Sequence, residues 1–102
     1  MKAYRFLAEA QTEFAEQVRY FDGQAEGLGD RFIQDLEAGV LAVRQHPSSG
    51  APVSRNVRKW VLRVFPFNVY YVDSSDEVII VAVAAHRRRP GYWRGRVKNM
   101  KA

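Results

Sequence analysis

Apolar positions along this chain change their period several times, and each change marks an element. Ala3 to Leu7 (AYRFL) places Tyr4 and Phe6 on one side of a short segment, the alternation of a strand. From Ala8 the spacing lengthens. Ala10, Phe14, Val18 and Phe21 recur at helical intervals, with Glu9, Glu13, Glu16 and Arg19 expected on the outer side. Gly23, Gly27 and Gly29 bracket a break. Leu28, Phe32, Leu36, Val40 and Val43 then form a second helical stripe, with Asp30, Asp35 and Glu37 expected on its outer face. So short a break folds the two helices into an antiparallel hairpin. Gly39 costs ~1 kcal/mol against Ala inside a helix, which points to a close helix approach there.

The second half reads as strands. His46 to Pro52 (HPSSGAP) is a loop by composition. Val57 to Phe65 alternates Trp60, Leu62 and Val64 against Lys59, Val61 and Arg63, and Pro66 breaks it. Phe67 to Val72 is the next strand, and Asp73-Ser74-Ser75-Asp76 supplies a turn. Glu77 to Ala85 is apolar on both faces and is expected as the central, most buried strand. After Pro90-Gly91, Tyr92 to Lys98 has room for one or two helical turns. The order β-α-α-β-β-β predicts an α+β domain over 1–102, a helical hairpin packed on a small twisted, mainly antiparallel sheet.

Composition narrows the chemistry. With no cysteine there is neither a disulfide framework nor a thiolate metal site, and His46 and His86 lie too far apart to form a metal-ligand pair. The longest apolar run, Val78 to Ala85, has 8 residues, well short of the ~20 that cross a bilayer. The N-terminal stretch turns polar after Leu7, unlike a signal peptide. A cytoplasmic protein with no cofactor, no metal and no membrane is expected.

The net charge of +5 is unevenly spread. Eight of the eleven acids lie in the first 37 positions, while residues 86–101 carry seven Arg or Lys and no acid. Such polarity predicts a basic face built by the second half of the chain. Its focus is VIIVAVAAHRRRPGYWRGR, residues 78–96, where a buried strand delivers His86, Arg87, Arg88, Arg89, Tyr92 and Trp93 to one edge. Arginine suits planar recognition of carboxylates and phosphates and stacks on aromatic rings. No nucleotide-binding glycine fingerprint and no nucleophile elbow accompanies it. Arg63 and His86 are expected to converge on the sheet face opposite the helices. A set of this kind could stabilise phosphoryl charge while His86 or Tyr92 moves protons, although a lone histidine at a strand end is more often structural.

With this order established, the chain resembles toxins of the RelE/ParE superfamily from bacterial type II toxin–antitoxin modules. The resemblance is carried by LGDRFIQDLE (28–37), the loop QHPSSGAP, Arg58, Arg63, Phe65-Pro66-Phe67, Val69-Tyr70-Tyr71 and the closing AAHRRRPGYW. It implies one of two activities. The ParE-like branch poisons DNA gyrase and has no catalytic residues. The RelE-like branch is a ribosome-dependent mRNA endoribonuclease, for which Arg63, His86, Arg87 and Tyr92 would be the catalytic candidates. The ribonuclease branch commonly carries an arginine just before the aliphatic-Val-Tyr of the third strand, and Asn68 holds that place here. The ParE-like branch is therefore ranked first. The resemblance also implies a ParD-like antitoxin with a ribbon-helix-helix DNA-binding part, and gyrase as target, with ribosome and mRNA as the alternative. Arg58, Arg63, His86, Arg87, Arg88, Arg89, Tyr92, Trp93 and Arg94 are the residues expected to bind target or antitoxin. A basic nucleic-acid-binding module is the third reading.

Overall fold

The computed structural model describes residues 1–100. The elements are β1 (Ala3–Phe6), α1 (Ala8–Gln24), α2 (Leu28–Gln45), β2 (Ala51–Pro52), β3 (Val57–Val61), β4 (Phe67–Asp73), β5 (Glu77–Ala85) and α3 (Arg94–Lys98). They build a five-stranded sheet in the order β1-β5-β4-β3-β2. β1 runs parallel to β5, and the remaining neighbours are antiparallel. The α+β, β-α-α-β-β-β reading holds, with one two-residue edge strand added inside the predicted loop.

Each face of the sheet has its own apolar cluster. On the helical side Phe32, Leu36, Val40 and Val43 of α2 pack with Leu62, Phe67, Val69, Tyr71, Val78, Ile80 and Val83. Phe14, Val18 and Phe21 of α1 close over them. Most rings meet edge-on or tilted, as in Phe21–Phe65 at 5.0 Å and Phe32–Phe67 at 5.0 Å, while Phe6 and Phe14 stack at 5.9 Å. Gly39 is where α2 approaches most closely, but its neighbours are the Trp60 and Leu62 side chains, not the other helix. A Cβ there would lie 2.9 Å from the Trp60 ring, so the glycine lets α2 settle onto the sheet.

On the opposite face Val57, Val81, Ala82 and Trp93 form a second cluster, joined by Tyr70, Val72, Tyr92, Val97 and Met100. A register shift makes it possible. Tyr70 pairs with Ala82 but Tyr71 pairs with Ile80, which leaves Val81 as an extra residue on β5. Val81 and Ala82 consequently both belong to the second cluster, while Ile80 and Val83 stay in the first.

Two acids placed on outer helix faces by periodicity are corrected. Asp35 is only 7% exposed, and its Oδ2 accepts the backbone N–H of Val64 at 3.0 Å and of Phe65 at 2.8 Å. This is why β3 stops at Val61 and not at Phe65: the amides of residues 64 and 65 leave the ladder for a carboxylate. Glu13 likewise turns inward, into the site described next.

Candidate functional site: the β5 edge and the C-terminal strap

β1 pairs with β5 only as far as Phe6 and Ile80, and the Leu7 N–H adds a bond to the Ile80 carbonyl. Beyond that point the outer edge of β5 has no strand neighbour among the described residues. Side chains take its place. Glu13 Oε1 accepts the Val83 N–H at 3.0 Å, and an Arg96 amino group donates to the Val81 carbonyl at 3.0 Å. Arg96 also grips Glu13 bidentately, at 2.8 and 3.0 Å, and the Tyr92 hydroxyl donates to Glu13 Oε2 at 2.7 Å. An unpaired backbone edge invites association, and this network closes it.

The same network straps the C-terminal segment over the sheet. β5 ends at Ala85, whose carbonyl accepts the Arg88 N–H at 2.9 Å, and Gly91 turns the chain back at φ +77°. That conformation favours glycine. Trp93 then lies on the sheet, 2% exposed, with its ring 5.2 Å from that of Tyr70. Tyr92 is held between two guanidinium groups, Arg88 at 3.9 Å and Arg96 at 5.0 Å from its centroid. Burial, then the hydrogen bond to Glu13 and the Glu13 charge, push the Tyr92 phenol well above the ordinary tyrosine range. The Arg96 guanidinium is raised too, chiefly by its hydrogen bond to Glu13.

The candidate residues do not gather at one point. Arg58 is tied to the loop after α2, donating to the Ser48 and Gly50 carbonyls at 3.1 and 2.8 Å. Arg63 is exposed and lies over Trp60, 5.9 Å from its ring, on the helical side of the sheet. Tyr92 belongs to the opposite face. The expected convergence of Arg63 with the His86 region on the face away from the helices is therefore corrected, because that face is roofed by residues 92–100. Trp93 is corrected as well: it is a core residue of the second cluster and does not stand on an exposed edge. Asn68 Oδ1 and Trp93 Nε1 are buried without a hydrogen-bond partner among the described residues. Asn68 is 6% exposed and its amide reaches the Tyr70 hydroxyl at 3.4 Å.

His86, Arg87, Arg88, Arg89 and Arg94 remain exposed. The His86 ring nitrogen Nε2 lies 3.2 Å from the Phe67 carbonyl. Arg94 stacks 5.2 Å from the centroid of the Trp93 ring. Among the described residues no ion pair engages Arg87, Arg88 or Arg89, which stand as a row of cations after β5, Arg88 with its guanidinium over the Tyr92 ring. Glu13 and Arg96 escaped sequence reading. Two signals were available: Arg96 follows Tyr92 by one helical turn, and Glu13 directly borders the Ala10–Phe14 stripe.

The family described as the ParE toxin of the type II toxin–antitoxin system parDE matches residues 4–90. A solved structure, the chromosomal ParDE toxin–antitoxin system from P. aeruginosa, superposes with a TM-score of 0.69 at 18% identity, covering 83% of this chain and 96% of that one. No curated protein matches the chain. A family match running from β1 through the arginine row covers most of the sequence, and the chain belongs to the ParE toxin family of type II toxin–antitoxin systems.

Proposed function

We propose that this protein arrests growth in the cytoplasm by poisoning DNA gyrase, through binding and without covalent chemistry of its own. A cognate ParD-like antitoxin, with a ribbon-helix-helix DNA-binding part, neutralises it. Family membership supports the class of toxin. The observation that favours binding over catalysis is the strapped second face. RNA cleavage through the 2′-hydroxyl needs cationic groups and proton carriers around one phosphate. Here Arg63 and Tyr92 lie on opposite faces of the sheet, and the Tyr92 phenol is engaged with Glu13. Asn68, where the ribonuclease branch commonly has its arginine, is buried beside Tyr70. Of the proton carriers beside the row Arg87 to Arg89, Tyr92 stacks on Arg88 but gives its hydroxyl to Glu13, and the adjoining His86 sets Nε2 against the Phe67 carbonyl.

The test is growth arrest by the His86→Gln variant. Glutamine keeps hydrogen bonding but cannot act as acid or base near neutral pH. Retained arrest with a DNA-damage response is the expected result. A loss of ~10²–10⁴-fold in activity, the usual worth of an acid–base group, would instead install the ribonuclease reading.

A further inference from the structure

A depression of about 350 Å³ opens between α1 and the turn joining β3 to β4. Its walls are Tyr20, Phe21, Phe65, Pro66 and Phe67, with Arg87 at the mouth. It shares Gln17, Tyr20, Phe67, Ala85 and Arg87 with an adjoining open channel of about 770 Å³, lined also by Val83, Ala84, Arg88 and Arg89. Tyr20 is 57% exposed, so a large apolar side chain stands at the junction with nothing packed on its outer side. Two carboxylates border the channel, but Glu13 is already spent on Arg96, Tyr92 and the Val83 amide, which leaves Glu16 against three arginines.

From this juxtaposition of an aromatic-walled depression and an uncompensated arginine row, we infer that the site takes a peptide segment in which one phenylalanine-sized anchor is followed by acidic residues. The anchor enters between Tyr20 and Pro66, and the acids lie under Arg87 to Arg89. A volume at the lower end of ligand pockets fits a side chain better than a drug-sized molecule. Aromatic anchors in such pockets characteristically dominate interface energetics, and the arginines supply complementary charge. A nucleobase fits less well, because Gln17, His86 and Arg87 are the few polar groups facing a depression walled mainly by aromatic side chains. Addition of a backbone strand along Val81 to Val83 is blocked, since Glu13 and Arg96 already occupy the Val83 amide and the Val81 carbonyl. Recognition at this edge is thus by side chains.

The identity of the partner as the antitoxin rests on the function proposed above, whereas the peptide preference is read on purified protein without gyrase or growth. The experiment titrates ¹⁵N-labelled full-length protein with the synthetic peptide acetyl-Asp-Phe-Glu-Asp-Glu-amide. Control peptides replace Phe by Ala or the four acids by Gln and Asn, and the oligonucleotide dT8 serves as the nucleic-acid arm. Amide shifts are expected at Tyr20, Phe67 and Ala85 to Arg89, with either peptide change weakening binding by about tenfold or more, which is ~1.4 kcal/mol. Gln17→Trp, which fills the depression from the surface of α1, should cause a similar loss, and Arg87→Glu likewise, with unchanged spectra elsewhere reporting an intact fold. If a variant unfolds, the peptide comparison on wild-type protein still decides. Equal binding of the Phe and Ala peptides, no binding of any peptide, or tighter binding of dT8 that also depends on Gln17 would each overturn the inference. Growth arrest lost while peptide selectivity persists would overturn the toxin reading alone.

Discussion

Asp35, Glu13 and Trp93 lie where the sequence pattern did not put them, and each reversal has a local cause. Asp35 is buried because two turn amides need an acceptor that no strand supplies. Asp35→Ala should lower unfolding stability by about 1–3 kcal/mol, the cost of stranded buried donors, measured by urea denaturation. Trp93→Ala should cost about 3–5 kcal/mol, as for a buried aromatic, whereas Arg89→Ala should stay within about 0.5 kcal/mol. Comparable losses in the two variants would mean that the strap is not packed as described. Helical periodicity placed Asp35 and Glu13 outside because it sees only the average stripe. A charged residue bordering that stripe turns inward when a tertiary partner, absent from its own neighbourhood in sequence, needs it.

At the scale of elements, the strap hangs on one carboxylate. Glu13 connects α1 to Tyr92, Arg96 and the β5 edge, so the segment after Gly91 is fixed to a helix about 80 residues earlier in the chain. Tyr92 offers a pH readout. Its phenol is raised above the unfolded value of about 10, so the neutral form is the one the fold prefers. The associated stabilisation is complete below that value and is lost as pH climbs above it. Tyr92→Phe should be less stable than wild type by roughly 1 kcal/mol near neutrality. Its stability should then fall less steeply than that of wild type in urea titrations carried above about pH 10. Tyr71, also raised by burial, titrates in both proteins and cancels in the comparison. Parallel alkaline slopes would contradict the described burial of Tyr92. Much at this scale was legible: β5 runs from Glu77 to Ala85 as its apolar character indicates, and both helices follow their stripes. β2 was not, since a two-residue edge strand containing Pro52 carries no alternation. The Val81 bulge was invisible too, because an all-apolar strand gives no sign of which residue faces which side.

For the whole molecule, the two faces of the sheet have separate tasks. The helical face carries the larger core, while the other is closed by the strap, and the edge where β5, α1 and the Arg87–Arg89 row meet is the surface proposed to function. The sequence announced that row directly, as charge after an apolar strand. Its separation from Arg63 and the burial of Trp93 depend on the strap folding back, which no pattern in residues 86–100 dictates. Replacing Arg87, Arg88 and Arg89 together by Glu should abolish growth arrest and antitoxin binding, and, since none has an ion partner among the described residues, the melting temperature should fall only by what the Arg88–Tyr92 stacking contributes. Retained arrest in that variant would move the functional surface elsewhere.

The central claim is a toxin that acts on gyrase by binding at this edge. Its most direct test is supercoiling of relaxed plasmid by purified gyrase in the presence of the purified protein, with wild type, His86→Gln and the triple Arg-to-Glu variant compared. Wild type and His86→Gln should inhibit to similar extents and accumulate cleaved plasmid, and the triple variant should do neither. Undisturbed supercoiling by the wild-type protein, together with transcript cleavage in a translating extract that His86→Gln abolishes, would contradict the account.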